Sequence, residues 1–165
     1  MPEKETIKRA RRDKRQGKSP STQAGEFVRE EMHHIREGKH GAASTKQAIA
    51  IGLSKARRAG VKLGKPPAGS SKRTKQSAAS ASRAGRHPRR KVSARRSRAI
   101  RRALKREPRS VASHKALARQ ARTAARRRGA AARSRAAKKA SRTKGPRVRH
   151  MAAEKAARTR KRHAT

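Results

Sequence analysis

Apolar side chains recur at three- and four-residue spacing in two short stretches of the chain, and each stretch predicts a helix. In the first, Ala24, Phe27, Val28, Met32 and Ile35 fall on one face, with Arg29, His33, Arg36 and Glu37 opposite. Ser19-Pro20 precedes it, a capping hydroxyl followed by a proline at the first helical position, and Gly38 follows it as a stop. In the second, Ala48, Ile49, Gly52, Leu53 and Ala56 share a side, with Lys46, Ser54 and Arg57 away from it. Ser44-Thr45-Lys46-Gln47 reads as a capping box at its start, with Gln47 reaching back, and Gly60 with Val61 marks its end. Ile51 falls off this stripe and reads as a partner surface.

Ahead of this pair, residues 3–16 place acids first and bases afterwards, with Gly17 as a stop, which suits a short helix aligned with its own dipole. Its main apolar side chain is Ile7. The pair predicts a helical hairpin whose few large side chains barely offset the entropy of ordering it. Such a hairpin is expected to dimerise, to pack on the helix of Ile7, or to fold on binding.

Beyond Leu63 the pattern fades. Gly64-Lys65-Pro66-Pro67-Ala68-Gly69-Ser70-Ser71 has the composition of a linker, and the rest is rich in Ala, Arg, Lys and Ser. Residues 64–165 hold 7 large apolar residues, against 11 in the first 63. So few cannot offset about 1–2 kcal/mol of backbone entropy per residue. Pro88, Pro108, Gly129 and Gly145-Pro146 divide the stretch into pieces within which Val92, Ile100 and Leu104, and then Val111, Leu117 and Ala121, keep helical spacing. The expected fold class is therefore all-α: a basic N-terminal helix over 1–18, a helical hairpin over 19–63, and a largely disordered basic tail over 64–165 that turns helical when bound.

Charge changes the picture most. The 165 residues carry 52 Lys and Arg against 9 acids, a formal net charge of +43. Residues 64–165 account for 36 bases and only Glu107 and Glu154 as acids, net +34. Self-repulsion of that size calls for a polyanion, and nucleic acid is the common polymer of that kind. B-form DNA carries one charge per 1.7 Å, so +34 matches the phosphates of about 17 base pairs. Arg exceeds Lys by 33 to 19, which favours the planar, bidentate grip on phosphate. Phe27 is the lone aromatic residue, so the stacking platforms of single-strand readers are missing.

The residues expected to bind nucleic acid are Arg57, Arg58, Arg86, Arg89, Arg90, Lys91, Arg95, Arg96, Arg101, Arg102, Arg126, Arg127, Arg128, Lys138 and Lys139. Adjacent bases of this kind hold the backbone without reading sequence. Around Gly85-Arg86-His87-Pro88-Arg89, the Arg-Gly-Arg-Pro order of a minor-groove AT-hook is lacking, so an ordinary basic turn is expected there.

His33, His34 and His40 with Glu30, Glu31 and Glu37 form the one catalytic-looking group. Glu30 to His33 and Glu31 to His34 have the Glu-x-x-His spacing of di-iron helices, but the further carboxylates of such sites are absent, as is the His-Glu-x-x-His order. A polar helix face is the expectation, with no metal, no cofactor and no small-molecule substrate. No glycine-rich phosphate loop or rigid nucleophile site is evident, so the chain is not read as an enzyme. It has no Cys, no run approaching the roughly 20 apolar residues that span a bilayer, and in Met1-Pro2-Glu3-Lys4-Glu5 no secretory core. A cytoplasmic, nucleoid location is expected.

Residues 21–63, from Ser21-Thr22-Gln23-Ala24-Gly25-Glu26-Phe27-Val28 through His40-Gly41 to Thr45-Lys46-Gln47-Ala48-Ile49-Ala50-Ile51-Gly52-Leu53-Ser54-Lys55-Ala56, resemble a group of small, basic, largely uncharacterised bacterial and phage-associated proteins. They share the Lys-Gln-Ala-Ile-Ala-Ile core, and some are labelled plasmid stabilisation or DNA-binding. Residues 64–165 resemble the tails of bacterial linker-histone-like proteins, although those favour Lys and Lys-Pro-Ala repeats over Arg. The first resemblance implies a bacterial origin and says little about activity, the second is in keeping with linker-histone-like compaction, and neither assigns a residue a role. The leading expectation is a histone-like, nucleoid-associated protein that neutralises and condenses duplex DNA, favoured over RNA, with a possible homodimer through the hairpin. An RNA- or ribosome-associated protein, and a plasmid-maintenance interaction protein tethered to DNA, are the alternatives.

Overall fold

A computed structural model describes residues 2–87 and 93–163. It is helical throughout, with seven α-helices, one 3-10 turn and no strand among the described residues. The helices are α1 (Lys4–Arg15), α2 (Pro20–Arg36), α3 (Thr45–Arg58), α4 (Lys72–Arg86), α5 (Ala94–Arg106), α6 (His114–Arg127) and α7 (Gly129–His163), with the 3-10 turn η1 at Ser110–Ala112. The chain divides into two compact units, Met1–Gln120 and Ala121–Thr165.

The hydroxyl of Ser19 accepts from the Thr22 N–H to cap α2, and that of Ser44 accepts from the Gln47 N–H to cap α3. Gln47 does reach back, its Oε1 accepting from the Ala43 N–H at 2.7 Å. Gly17, Gly38 and Gly60 close the first three helices at positive φ.

Inside the first unit the core has two parts. Ala10, Ala24, Phe27 and Ala56 are buried together, with Ile7, Leu53, Val61 and Leu63 packed against them. Ile7 thus seats α1 on the hairpin. Met32, Ile35, Ala42, Ala48 and Ala112 form the other part, supported by Val28, Ile49, Val111 and Leu117. Ile51 is half-buried rather than free. The two hairpin helices meet closely at Gly52, where a Cβ would lie 2.7 Å from the Cα of Val28.

The expectation of a disordered tail over 64–165 is overturned. Within the first unit, α4 and η1 are folded onto the hairpin, and the chain of the second unit is itself helical. α4 packs along α3, with Ala81 buried, and Gly85 lies so close to the Arg57 carbonyl that no side chain fits there. η1 packs on both α2 and α3 and buries Ala112. The end of α5 and the turn before η1 are held by backbone: the Gly41 N–H donates to the Leu104 carbonyl at 2.8 Å and the Ala42 N–H to the Pro108 carbonyl at 3.3 Å. Arg36 Nε donates to the Ala112 carbonyl and Thr45 Oγ1 to Val111, at 2.8 and 2.7 Å.

The physical reason is twofold. Small residues do the packing, so a count of large apolar side chains understates the core: seven of the ten buried hydrophobic residues are Ala. Serines also start the later helices. Ser71, Ser93 and Ser113 accept from the N–H groups of Thr74, Arg96 and Ala116. In the second unit, α7 is broken at Gly145, whose φ of 68° and ψ of 169° are not helical, and Pro146 restarts it. No described helix is long and apolar enough to cross a membrane.

Candidate functional site

The cationic surface is carried by α4, α5 and α6, none of which contains an acidic residue. α5 buries no side chain. Its Arg95, Arg96, Arg101 and Arg102 are all exposed, with Arg98, Lys105 and Arg106 completing a helix that is cationic except along Ser97, Ile100 and Leu104. Arg95, Arg98, Arg102 and Arg106 recur at three- and four-residue spacing, one row of guanidinium groups along one side. Arg86 is the exposed last residue of α4. Arg57 is half-buried, and its Nη2 donates to the Gly64 carbonyl at 2.9 Å, so it braces the linker as much as it faces solvent. Arg58 ends α3 in an exposed position. Arg89, Arg90 and Lys91 lie outside the described residues.

The second unit holds 17 Lys and Arg against Glu154, net +16. Arg126 and Arg127 end α6, Arg128 follows, and all three are exposed. Lys138 and Lys139 lie with Arg135, Arg142 and Thr143 around a shallow cleft on α7. Phosphate oxygens on such a surface would lift the like-charge repulsion between adjacent turns, which is how a helix of this composition gains from a polyanion.

A second, polar site lies within the first unit and runs against the charge of the rest. Phe27, Glu31 and Ile35 follow one another at four-residue spacing, so Glu31 shares the apolar stripe and its side chain is wholly buried. Lys55 of α3 places its ammonium 2.6 Å from Glu31 Oε2 and 3.4 Å from Oε1 of the buried Glu30. His40, in the loop after α2, brings Nε2 to 3.3 Å from Glu31 Oε1 while its Nδ1 lies 3.0 Å from the Gly41 carbonyl. One turn along α2 from Glu31, His34 Nε2 lies 2.8 Å from Glu3 Oε1. Neither Glu31 oxygen has a hydrogen bond of good geometry, despite the nearby ammonium.

Around this cluster, hydrogen bonding and charge from His34 hold the Glu3 carboxyl below its ordinary pKa, and Lys39 adds to the effect. A hydrogen bond from Lys39 lowers Glu37, and the same contact raises Lys39.

Of the group read from sequence, the fold gathers Glu31, His34 and His40 together. His33 stays outside on an exposed face, paired only with Glu37 at 3.4 Å. Lys55 and Glu3 were not singled out by pattern. The signal that locates the site was present nonetheless: a glutamate in step with Phe27 and Ile35 has to be buried, and a buried carboxylate needs a cation.

Residues 15–67 match a family of unknown function (DUF6496). The match spans α2, α3 and the start of the following linker, under half of the chain, and so marks a similarity of the hairpin. Comparison with curated proteins and with solved structures returns no match. Nothing found ties the chain to plasmid-stabilisation or linker-histone-like proteins.

Proposed function

We propose that this protein binds nucleic acid through its phosphates, without reading sequence, and acts as a histone-like, nucleoid-associated protein that neutralises and condenses duplex DNA. The observation that carries this reading is the run of acid-free helices α4, α5 and α6, with α5 presenting seven exposed Lys and Arg and burying nothing. Guanidinium groups on a formed helix are spaced to meet successive phosphates, and Arg grips each of them bidentately. The +16 of the second unit adds a further cationic element, which would let one molecule touch two stretches of DNA. The missing aromatic residues disfavour single-strand stacking and favour a duplex.

The reading assigns no catalysis. The experiment that tests it measures affinity of the full chain for duplex DNA and for structured RNA from low to high salt. Each neutralised phosphate contributes about −0.9 to the slope of log affinity against log salt, so a steep slope with little dependence on DNA sequence is the expected result. Affinity for duplex DNA that survives high salt unchanged overturns the electrostatic mechanism. A strong preference for structured RNA replaces DNA condensation with ribosome or RNA association.

A further inference from the structure

We propose that Glu31, His34 and His40 form a binding site for a divalent transition-metal ion of the zinc class, with Glu3, Glu30 and Lys55 as its outer shell. This goes beyond the nucleic-acid reading and does not depend on it. One donor atom from each of the three residues lies within 4.8 Å of the other two. Two imidazoles and one carboxylate are a nitrogen-oxygen donor set suited to zinc, leaving a fourth position for water or an exogenous group.

The arrangement around His40 is the sharpest observation. The Gly41 carbonyl can only accept, so the Nδ1 beside it at 3.0 Å carries the ring proton. In a neutral ring the Nε2 lone pair then faces Glu31 Oε1 at 3.3 Å, an acceptor facing an acceptor. A cation between them turns that repulsion into two bonds. With metal–ligand lengths of 2.0–2.1 Å, two ligands of a tetrahedral ion stand about 3.3 Å apart, the separation found here.

The second observation is the carboxylate itself. Glu31 is completely buried and neither of its oxygens is hydrogen-bonded, an unusual position for a charged group. Lys55 addresses Oε2 at 2.6 Å and His40 addresses Oε1, so Oε1 is the oxygen offered to the ion. The outer shell has the parts such sites use: a carboxylate on His34 from Glu3 and a backbone carbonyl on His40 from Gly41, each fixing a ring. Three of the chain's nine acids, Glu3, Glu30 and Glu31, meet here, which gives a cation a local attraction within a strongly basic protein. A bound ion would tie the loop carrying His40 and the chain before α1 to the C-terminal half of α2.

The test uses the full chain without an affinity tag, freed of nucleic acid and stripped by chelator, and titrates it with Zn2+ and with Co2+. The expected result is saturable binding of one equivalent, a rise in melting temperature, and visible Co2+ bands of four-coordinate intensity. His40→Ala, whose site is a loop, and His34→Ala should each abolish the Co2+ bands. Glu3→Gln should weaken binding about 10–100-fold, as loss of an outer-shell partner does. His33→Ala, on the same helix but outside the cluster, should leave binding unchanged. Absence of one-equivalent binding or of the Co2+ bands in the unsubstituted chain overturns the proposal. Binding that persists in both His34→Ala and His40→Ala overturns it equally, because the ion then sits among other histidines.

Discussion

The backbone N–H of Gly41 donates to the carbonyl of Leu104 across 63 residues of chain, at 2.8 Å. This bond joins the loop of the hairpin to the C-terminal end of α5. It works only because Gly41 has no side chain: a Cβ there would collide with the Glu107 carbonyl. Gly41→Ala is therefore expected to free the segment 104–112 and to cost about 1–3 kcal/mol, the usual penalty for overpacking. Denaturant unfolding gives the cost, and amide exchange shows whether Ala42, whose N–H bonds to Pro108, loses protection. Unchanged exchange at Ala42 would show that this docking does not depend on Gly41.

Gly52 poses the same problem between α2 and α3. An added methyl would stand 2.7 Å from the Val28 Cα, and backbone cannot rotate aside as a side chain can. Gly52→Ala gains helix propensity of about 1 kcal/mol and should nonetheless destabilise the protein, because the two helices must part. A higher unfolding midpoint than that of the unsubstituted chain would mean that the helices can shift at little cost.

Lys55 serves two buried carboxylates, Glu30 and Glu31. Lys55→Met keeps the aliphatic stem and removes the charge, leaving two buried acids without their ammonium. The expected loss is about 3–5 kcal/mol, as for other buried pairs robbed of one partner. Adding Glu31→Leu to that variant should restore much of the stability, since Glu31 lies between Phe27 and Ile35 on the apolar stripe. A double variant no more stable than Lys55→Met alone would show that the charge was not the cause.

These cases show which parts of the fold sequence could reveal. The hairpin was legible because Phe27, Met32 and Ile35 announce a face and Ser19, Ser44, Gly38 and Gly60 announce ends. Docking of α4 and η1 on the hairpin was not, because it rests on Ala81, Gly85 and Ala112, residues whose value is that they occupy little space. Contacts such as Arg36 to the Ala112 carbonyl depend on backbone positions that no side-chain pattern encodes. The polar site was half legible. The Glu and His residues of α2 stood out, but a reading that set His33 beside His34 could not tell which of them faces His40. The loop decides that, through Gly38 and the His40 hydrogen bond to Gly41.

Acid should weaken the contacts of Glu3 and Glu37. The carboxyls of Glu3 and Glu37 have pKa values lowered from 4.5 by His34 and Lys39. A lowered pKa means that their contribution is fully present above about 4.5 and is lost as pH falls through the lower, folded-state values. Both groups are exposed, so the effect is small and sensitive to salt. Unfolding midpoints measured from pH 7 down to pH 3, compared with those of a Glu3→Gln, Glu37→Gln variant, isolate it. The variant should show a shallower fall below pH 4.5; an identical profile would assign acid lability to other carboxylates.

The nucleic-acid reading makes its most specific demand on α5. Arg95, Arg96, Arg101 and Arg102 are exposed, and α5 buries no side chain, so replacing all four by Gln should leave the fold unchanged by circular dichroism. Gln keeps good helix propensity and loses only charge. If each of the four meets one phosphate, the slope of log affinity against log salt should become shallower by up to about four, roughly one for each lost contact. The loss should be the same on DNA of any sequence, since phosphate contacts carry no base information. Arg135, Lys138, Lys139 and Arg142 on α7 provide the matching comparison in the second unit. If neutralising α5 leaves the slope intact while neutralising α7 reduces it, the second unit carries the interface; if the loss depends on sequence, the protein reads bases and the histone-like mechanism fails.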